Sequence, residues 1–209
     1  MNENIFKRNE KLAKKVIEGL KSRNMTGYYA SSKEEALKIA LDLIPEGSKV
    51  GKGGAQSAVD IGLDAALKSG NYDYVANRSF ETKKEGYMFS YMSDVFIGST
   101  NAITEDGILV NIDGTSNRVS AYAYGPDKLI LIVGMNKVAK DVDDAMKRAR
   151  NIAAPANAQR FDVKTPCNVN GTCANCKSPD TICCQFLITR FSRQTDRIHV
   201  ILVNDNLGF

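Results

Sequence analysis

Short, uniformly apolar runs recur along this chain between stretches of helical periodicity, and that alternation constrains its fold most. Lys49-Val50-Gly51, Asp94 to Ser99, Lys128 to Gly134 and His199 to Val203 read as strands with little polar interruption. Strands of that kind are buried on both faces, as in parallel sheets covered by helices. The expected fold is therefore α/β, a mainly parallel layered sheet. One antiparallel hairpin is expected as well, because Asp106-Gly107 separates Ala102–Glu105 from Ile108–Ile112 and suits the positive φ angles of a tight turn.

The intervening segments carry helix signals. Residues 5 to 23 place Ile5, Leu12, Val16 and Leu20 on one face, with lysines elsewhere. Ser32-Lys33-Glu34-Glu35 fits a capping box, opening a helix that Pro45 and Gly47 end. Further helices are expected over Ala55–Leu67, Phe80–Met92, Asn117–Ala123 and Asp141–Ile152, and further strands over Tyr72–Asn77 and Phe186–Phe191. The expected organisation is a helical extension over residues 1–30 and an α/β domain over 31–209, with a cysteine-rich insertion at 162–185.

The 209 residues carry 28 Lys+Arg against 24 Asp+Glu, a net charge of +4 that is too balanced for a dedicated nucleic-acid binder. The first twenty residues lack the apolar core of a signal peptide, and no window approaches the roughly 18 apolar residues of a membrane span. A cytoplasmic protein with reduced or metal-bound cysteines is expected. Its composition leaves a homo-oligomer open.

Two segments point to chemistry. Val50-Gly51-Lys52-Gly53-Gly54-Ala55-Gln56-Ser57 joins a strand to a helix, an arrangement in which backbone amides can face a small anion. It lacks the Gly-Lys-Ser/Thr of a Walker loop and the glycine spacing of a dinucleotide fingerprint. A ligand-free tight connection is the competing reading. The block from Asn101 to Arg118 is dense in polar groups, and turn and cap chemistry accounts for Asp106, Gly107, Asp113, Gly114 and Asn117 better than for Glu105 and Arg118. Glu105, beside the hairpin turn, is the candidate catalytic carboxylate.

The run Asp94 to Gly107, with Asn111 to Arg118, Gly125-Pro126, Val133-Gly134-Met135-Asn136-Lys137 and Ala154-Pro155-Ala156-Asn157, resembles the LUD domain associated with lactate utilisation. The resemblance covers the chain from about Glu34 onward. It implies a fold similar to ribose-5-phosphate isomerases and CoA transferases, with the glycine-rich loop and a carboxylate flanking the site. Gly53, Gly54 and Ser57 then become loop ligands, Glu105 the carboxylate, and Asn101, Asn117, Arg118 and Lys137 ligand-binding candidates. It further implies a small anionic ligand and a place beside iron–sulfur partner subunits in a system that converts L-lactate to pyruvate.

All five cysteines fall within Cys167-x5-Cys173-x2-Cys176-x6-Cys183-Cys184. The single Cys-x2-Cys pair is a chelate common to zinc and iron–sulfur sites, and four ligands suffice. Cys167, Cys173, Cys176 and Cys183 are the candidate ligands of a zinc ion or an iron–sulfur cluster; thiol pairing and incidental burial compete with that reading. The alternative function is a non-catalytic ligand-binding or redox-sensing module built on this segment. The lone histidine, His199, lies in an apolar strand and is expected to be a hydrogen-bonded core residue.

Overall fold

The computed structural model describes residues 2–209. Among them the strands are β1 Thr26–Ala30, β2 Lys49–Lys52, β3 Asp73–Tyr74, β4 Val95–Gly98, β5 Ala102–Thr104, β6 Leu109–Asp113, β7 Lys128–Gly134, β8 Val138–Ala139, β9 Gln185–Thr189 and β10 Ile198–Val203. The helices are α1 Glu3–Ser22, α2 Lys33–Asp42, α3 Gln56–Asp60, α4 Leu63–Ser69, α5 Lys83–Tyr91, α6 Asn117–Ala123, α7 Val142–Arg148, α8 Ala154–Ala158 and α9 Pro166–Asn170. A six-stranded parallel sheet runs in the order β1-β10-β7-β4-β2-β3. A mixed four-stranded sheet, β8-β5-β6-β9, lies against it.

The unbroken apolar runs follow from burial on both faces of the six-stranded sheet. Ile130 and Ile132 of β7 pack with Val50, Ile97 and Ile201 under α2, α3 and α4. Leu129, Leu131 and Val133 point the other way, with Phe96, Val200 and Leu202, onto α1 and the Ile103 and Leu109 side chains of the mixed sheet. Each of these large side chains is worth roughly 1.5–3 kcal/mol when withdrawn from water. The far face of the mixed sheet buries Val110 and Ile112 against Ala145 and Ala149. Strand alternation therefore turns Leu109, Asn111 and Asp113 of β6 toward the six-stranded sheet.

The fold matches the expected α/β class, and its departures from the expected elements have local causes. The hairpin forms as expected, with Gly107 at φ +88, but it leaves the main sheet to build the second one. The segment Ala55–Leu67 is two helices, α3 and α4, because Gly62 at φ +81 breaks the first. Conversely, the helix expected to stop before Pro155 continues past it. A π-turn over Ala149–Ala153 links α7 to α8, placing Pro155, which has no N–H to donate, in the first turn of α8. β3 spans two residues and passes into a 3₁₀ turn, Val75–Asn77.

β1 falls within the stretch read as a helical extension, and it pairs in register with β10, Gly27 opposite Val200. The buried stripe of α1 is Asn9, Ala13, Val16 and Leu20, while Ile5 is 52% exposed. Ser32 caps α2 as expected, its hydroxyl accepting from the Glu35 N–H. His199 is buried in β10 with Nδ1 3.1 Å from the Tyr28 hydroxyl and Nε2 2.9 Å from the Asp196 carbonyl; burial lowers its pKa. Among the described residues no helix is long and apolar enough to cross a membrane.

Candidate ligand-binding site

Parallel strands deliver their carboxyl ends to one edge of a sheet, where open α/β folds place ligands. Here β2 runs into Gly53-Gly54, β4 into Ser99-Thr100-Asn101 and β7 into the 3₁₀ turn Met135–Lys137. A cavity of about 440 Å³ lies at that edge, and Gly54, Ser99, Asn101, Asn117, Arg118 and Lys137 line it. Asn157, Arg160 and Phe161 close it from α8 and the residues after it, and Phe209 and Ile182 complete the wall.

Lys137 dominates the electrostatics. Its side chain is 4% exposed, and Nζ donates to the Ser57 and Ser99 hydroxyls, 3.0 Å each. The Ser99 hydroxyl donates to the Ile132 carbonyl at 2.7 Å, which leaves its oxygen free to accept from the lysine. Burial drives the Lys137 pKa down, Arg148 and Arg118 add repulsion, and Asp60 opposes them only in part, leaving it at about 7. The amine therefore exchanges its proton near neutral pH.

Arg118 is held rather than free. Its Nε donates to Asp113 Oδ2 at 3.2 Å, Nη1 to Asn111 Oδ1 at 3.2 Å, and Nη2 to Asn101 Oδ1 at 3.2 Å and to the Ile112 carbonyl. The period of β6 is the cause, since it turns Asn111 and Asp113 to the same side as Leu109. Gly53 sits directly behind the arginine, where a Cβ would come within 3.0 Å of Arg118 Cγ. Two amides of the glycine loop are spent inside the protein, Gly53 N–H on the Ile97 carbonyl and Ala55 N–H on the Gly53 carbonyl. The loop thus seats Arg118 and exposes Gly54 to the cavity.

The sequence candidates separate into three places. Gly54, Asn101, Asn117, Arg118 and Lys137 share the cavity, with Gly53 behind Arg118 and Ser57 behind Lys137. Glu105 follows β5 outside the cavity lining, where Lys15 and Lys140 donate to it at 2.6 and 3.0 Å and hold its carboxyl below the usual range. Cys167, Cys173, Cys176 and Cys183 line a second, smaller cavity of about 90 Å³, while Cys184 is exposed. Burial, reinforced by the neighbouring thiols, pushes the Cys183 thiol up to about 11. Among the described residues no three His, Cys, Asp or Glu side chains are arranged to hold a metal ion.

A model of the LUD domain matches residues 13–203. The chain belongs to the LUD domain family. The fold is similar to the crystal structure of a DUF162 family protein from Deinococcus radiodurans, with a TM-score of 0.51 and 11% identity over 93% of this chain and 98% of that one. A comparison with curated proteins finds no match.

Several residues of this LUD domain site were not among the sequence candidates. Ser99 is one, although its place just after a buried parallel strand is itself a signal. Arg148 is another: it reads as a basic residue near a helix end, yet it is largely buried, donates to the Asn136 carbonyl at 2.9 Å, and has its pKa lowered to about 10 by burial. Asn157 and Arg160 reach the cavity because the helix continues through Pro155.

Proposed function

We propose that this LUD domain protein binds a short 2-hydroxy or 2-oxo carboxylate at the carboxyl edge of its main sheet, within a lactate-utilising system. In this reading iron–sulfur partner subunits accept the two electrons that leave lactate, while the present chain binds and orients the acid. The observation that carries the reading is Lys137: a buried amine facing a cavity, partnered by two hydroxyls, with two arginines nearby. A carboxylate against Nζ would add negative charge where Asp60 only partly offsets Arg148 and Arg118, and would draw a proton onto the amine. The Asn101 and Asn117 side chains then lie within the same cavity for the ligand's second oxygen function. A volume of about 440 Å³ is ample for a three-carbon acid.

The test is calorimetric titration of L-lactate, pyruvate and inorganic phosphate into the wild-type protein and Lys137→Met at pH 6.5, with circular dichroism as the control for folding. Binding of a carboxylate to the wild type and its loss in the variant are expected. Heat from none of the three, equal binding to the variant, or binding of phosphate alone would each overturn the reading.

A further inference from the structure

The cysteine segment supports a second inference that does not rest on the anion site, although Ile182 lines both cavities. We propose that Cys167, Cys173, Cys176 and Cys183 together ligate an iron–sulfur cluster in the small cavity between the π-turn at Ala149–Ala153 and the start of β9. The four thiols come from different local settings: Cys167 from α9, Cys173 and Cys176 from the loop beyond it, and Cys183 from just before β9. All four nevertheless line one cavity of about 90 Å³. Packing alone does not require this convergence, and it excludes the fifth cysteine. Cys184 is exposed, and its thiol lies 3.5 Å from the Thr181 carbonyl.

The polar groups around the thiols fit ligands that carry charge. Arg150 Nη2 lies 3.9 Å from Cys173 Sγ, and the Thr165 hydroxyl lies 3.4 Å from Cys167 Sγ. Guanidinium and hydroxyl neighbours offset and tune the negative charge of a thiolate-ligated centre. The spacing favours a cluster over one ion. A zinc ion requires its sulfurs about 2.3 Å from a single point, whereas these four thiols surround a cavity of about 90 Å³. A cluster holds its cysteines around a wider periphery, one to each iron. The x5, x2, x6 spacing differs from the bacterial ferredoxin run, so this loop would be a separate solution to the same ligation.

The experiment is anaerobic purification of the full chain, followed by iron, acid-labile sulfide and zinc analysis and a visible spectrum before and after dithionite. Iron and sulfide in equal amounts are expected, with a broad visible absorption that bleaches on reduction. Cys173→Ser and Cys176→Ser should lose that absorption, whereas Cys184→Ser should keep it. If the ligand variants fail to fold, chelator-stripped wild type, refilled with iron and sulfide, serves as the second measurement and should regain the spectrum. Stoichiometric zinc without sulfide would overturn the proposal. So would colourless, metal-free protein that refuses reconstitution and titrates five thiols.

Discussion

Replacing Lys137 by methionine should make the protein more stable and less able to bind an anion. The ordinary lysine pKa of 10.5 falls to about 7 in the folded chain, so burial disfavours the ammonium form. Below pH 7 both folded and unfolded chains carry the proton, and the whole penalty is present. Between 7 and 10.5 the unfolded chain binds more protons, so wild-type stability rises with pH, and above 10.5 the penalty is gone. The interval corresponds to about 5 kcal/mol at about 1.4 kcal/mol per pH unit.

Methionine fills a similar volume but leaves Ser57 and Ser99 without the amine, a loss of about 1 kcal/mol each. Lys137→Met should therefore gain about 3 kcal/mol at pH 6, match the wild type near about pH 9 and be about 2 kcal/mol less stable above about pH 10.5. Urea unfolding of both proteins from pH 6 to 10 isolates this residue, since every other titrating group is common to the pair. A variant no more stable at pH 6, or a stability difference that does not change with pH, would refute the reasoning.

Three further outcomes are expected. Carboxylate affinity of the wild type should weaken above pH 7 by up to about tenfold per pH unit, because binding must then bring a proton to Lys137; titrations at pH 6.5, 7.5 and 8.5 read this directly. Gly98→Ala should cost about 1–3 kcal/mol in chemical denaturation, since the added Cβ would overlap the Tyr122 hydroxyl. That hydroxyl bridges the backbone N–H and carbonyl of Ser99. Glu105→Gln should leave anion binding unchanged and shift stability by less than about 1 kcal/mol, because it weakens only surface ion pairs with Lys15 and Lys140.

What could be read from the sequence was whatever local chemistry decides. The β7 run, the Asp106-Gly107 hairpin and the Ser32 cap are each settled within a few residues, and each forms where expected. The π-turn escaped because Pro155 normally ends a helix; here it falls in the first turn of α8, after a π-turn whose Ala149 and Ala153 are buried. β1 escaped because Thr26-Gly27-Tyr28-Tyr29-Ala30 has no apolar run of its own; its pairing depends on β10. At the site, resemblance had pointed to Lys137 and Arg118 without a role. Their roles depend on contacts with residues distant in sequence, from Lys137 to Ser57 and Ser99 and from Arg118 to Asn101.

The position of β10 also bears on how the chain reaches this state. β10 lies between β1 and β7 in the main sheet, so among the described residues the strand nearest the amino terminus has its sole sheet partner near the end of the sequence. Closing so long a loop precedes any gain from the contact, and topologies of this kind fold slowly. Until β10 inserts, Tyr28 and Tyr29 remain unpaired and one edge of β7 stays open. An interruption anywhere ahead of residue 198 would remove β10 and orphan β1 as well, exposing an apolar sheet edge suited to association with another chain.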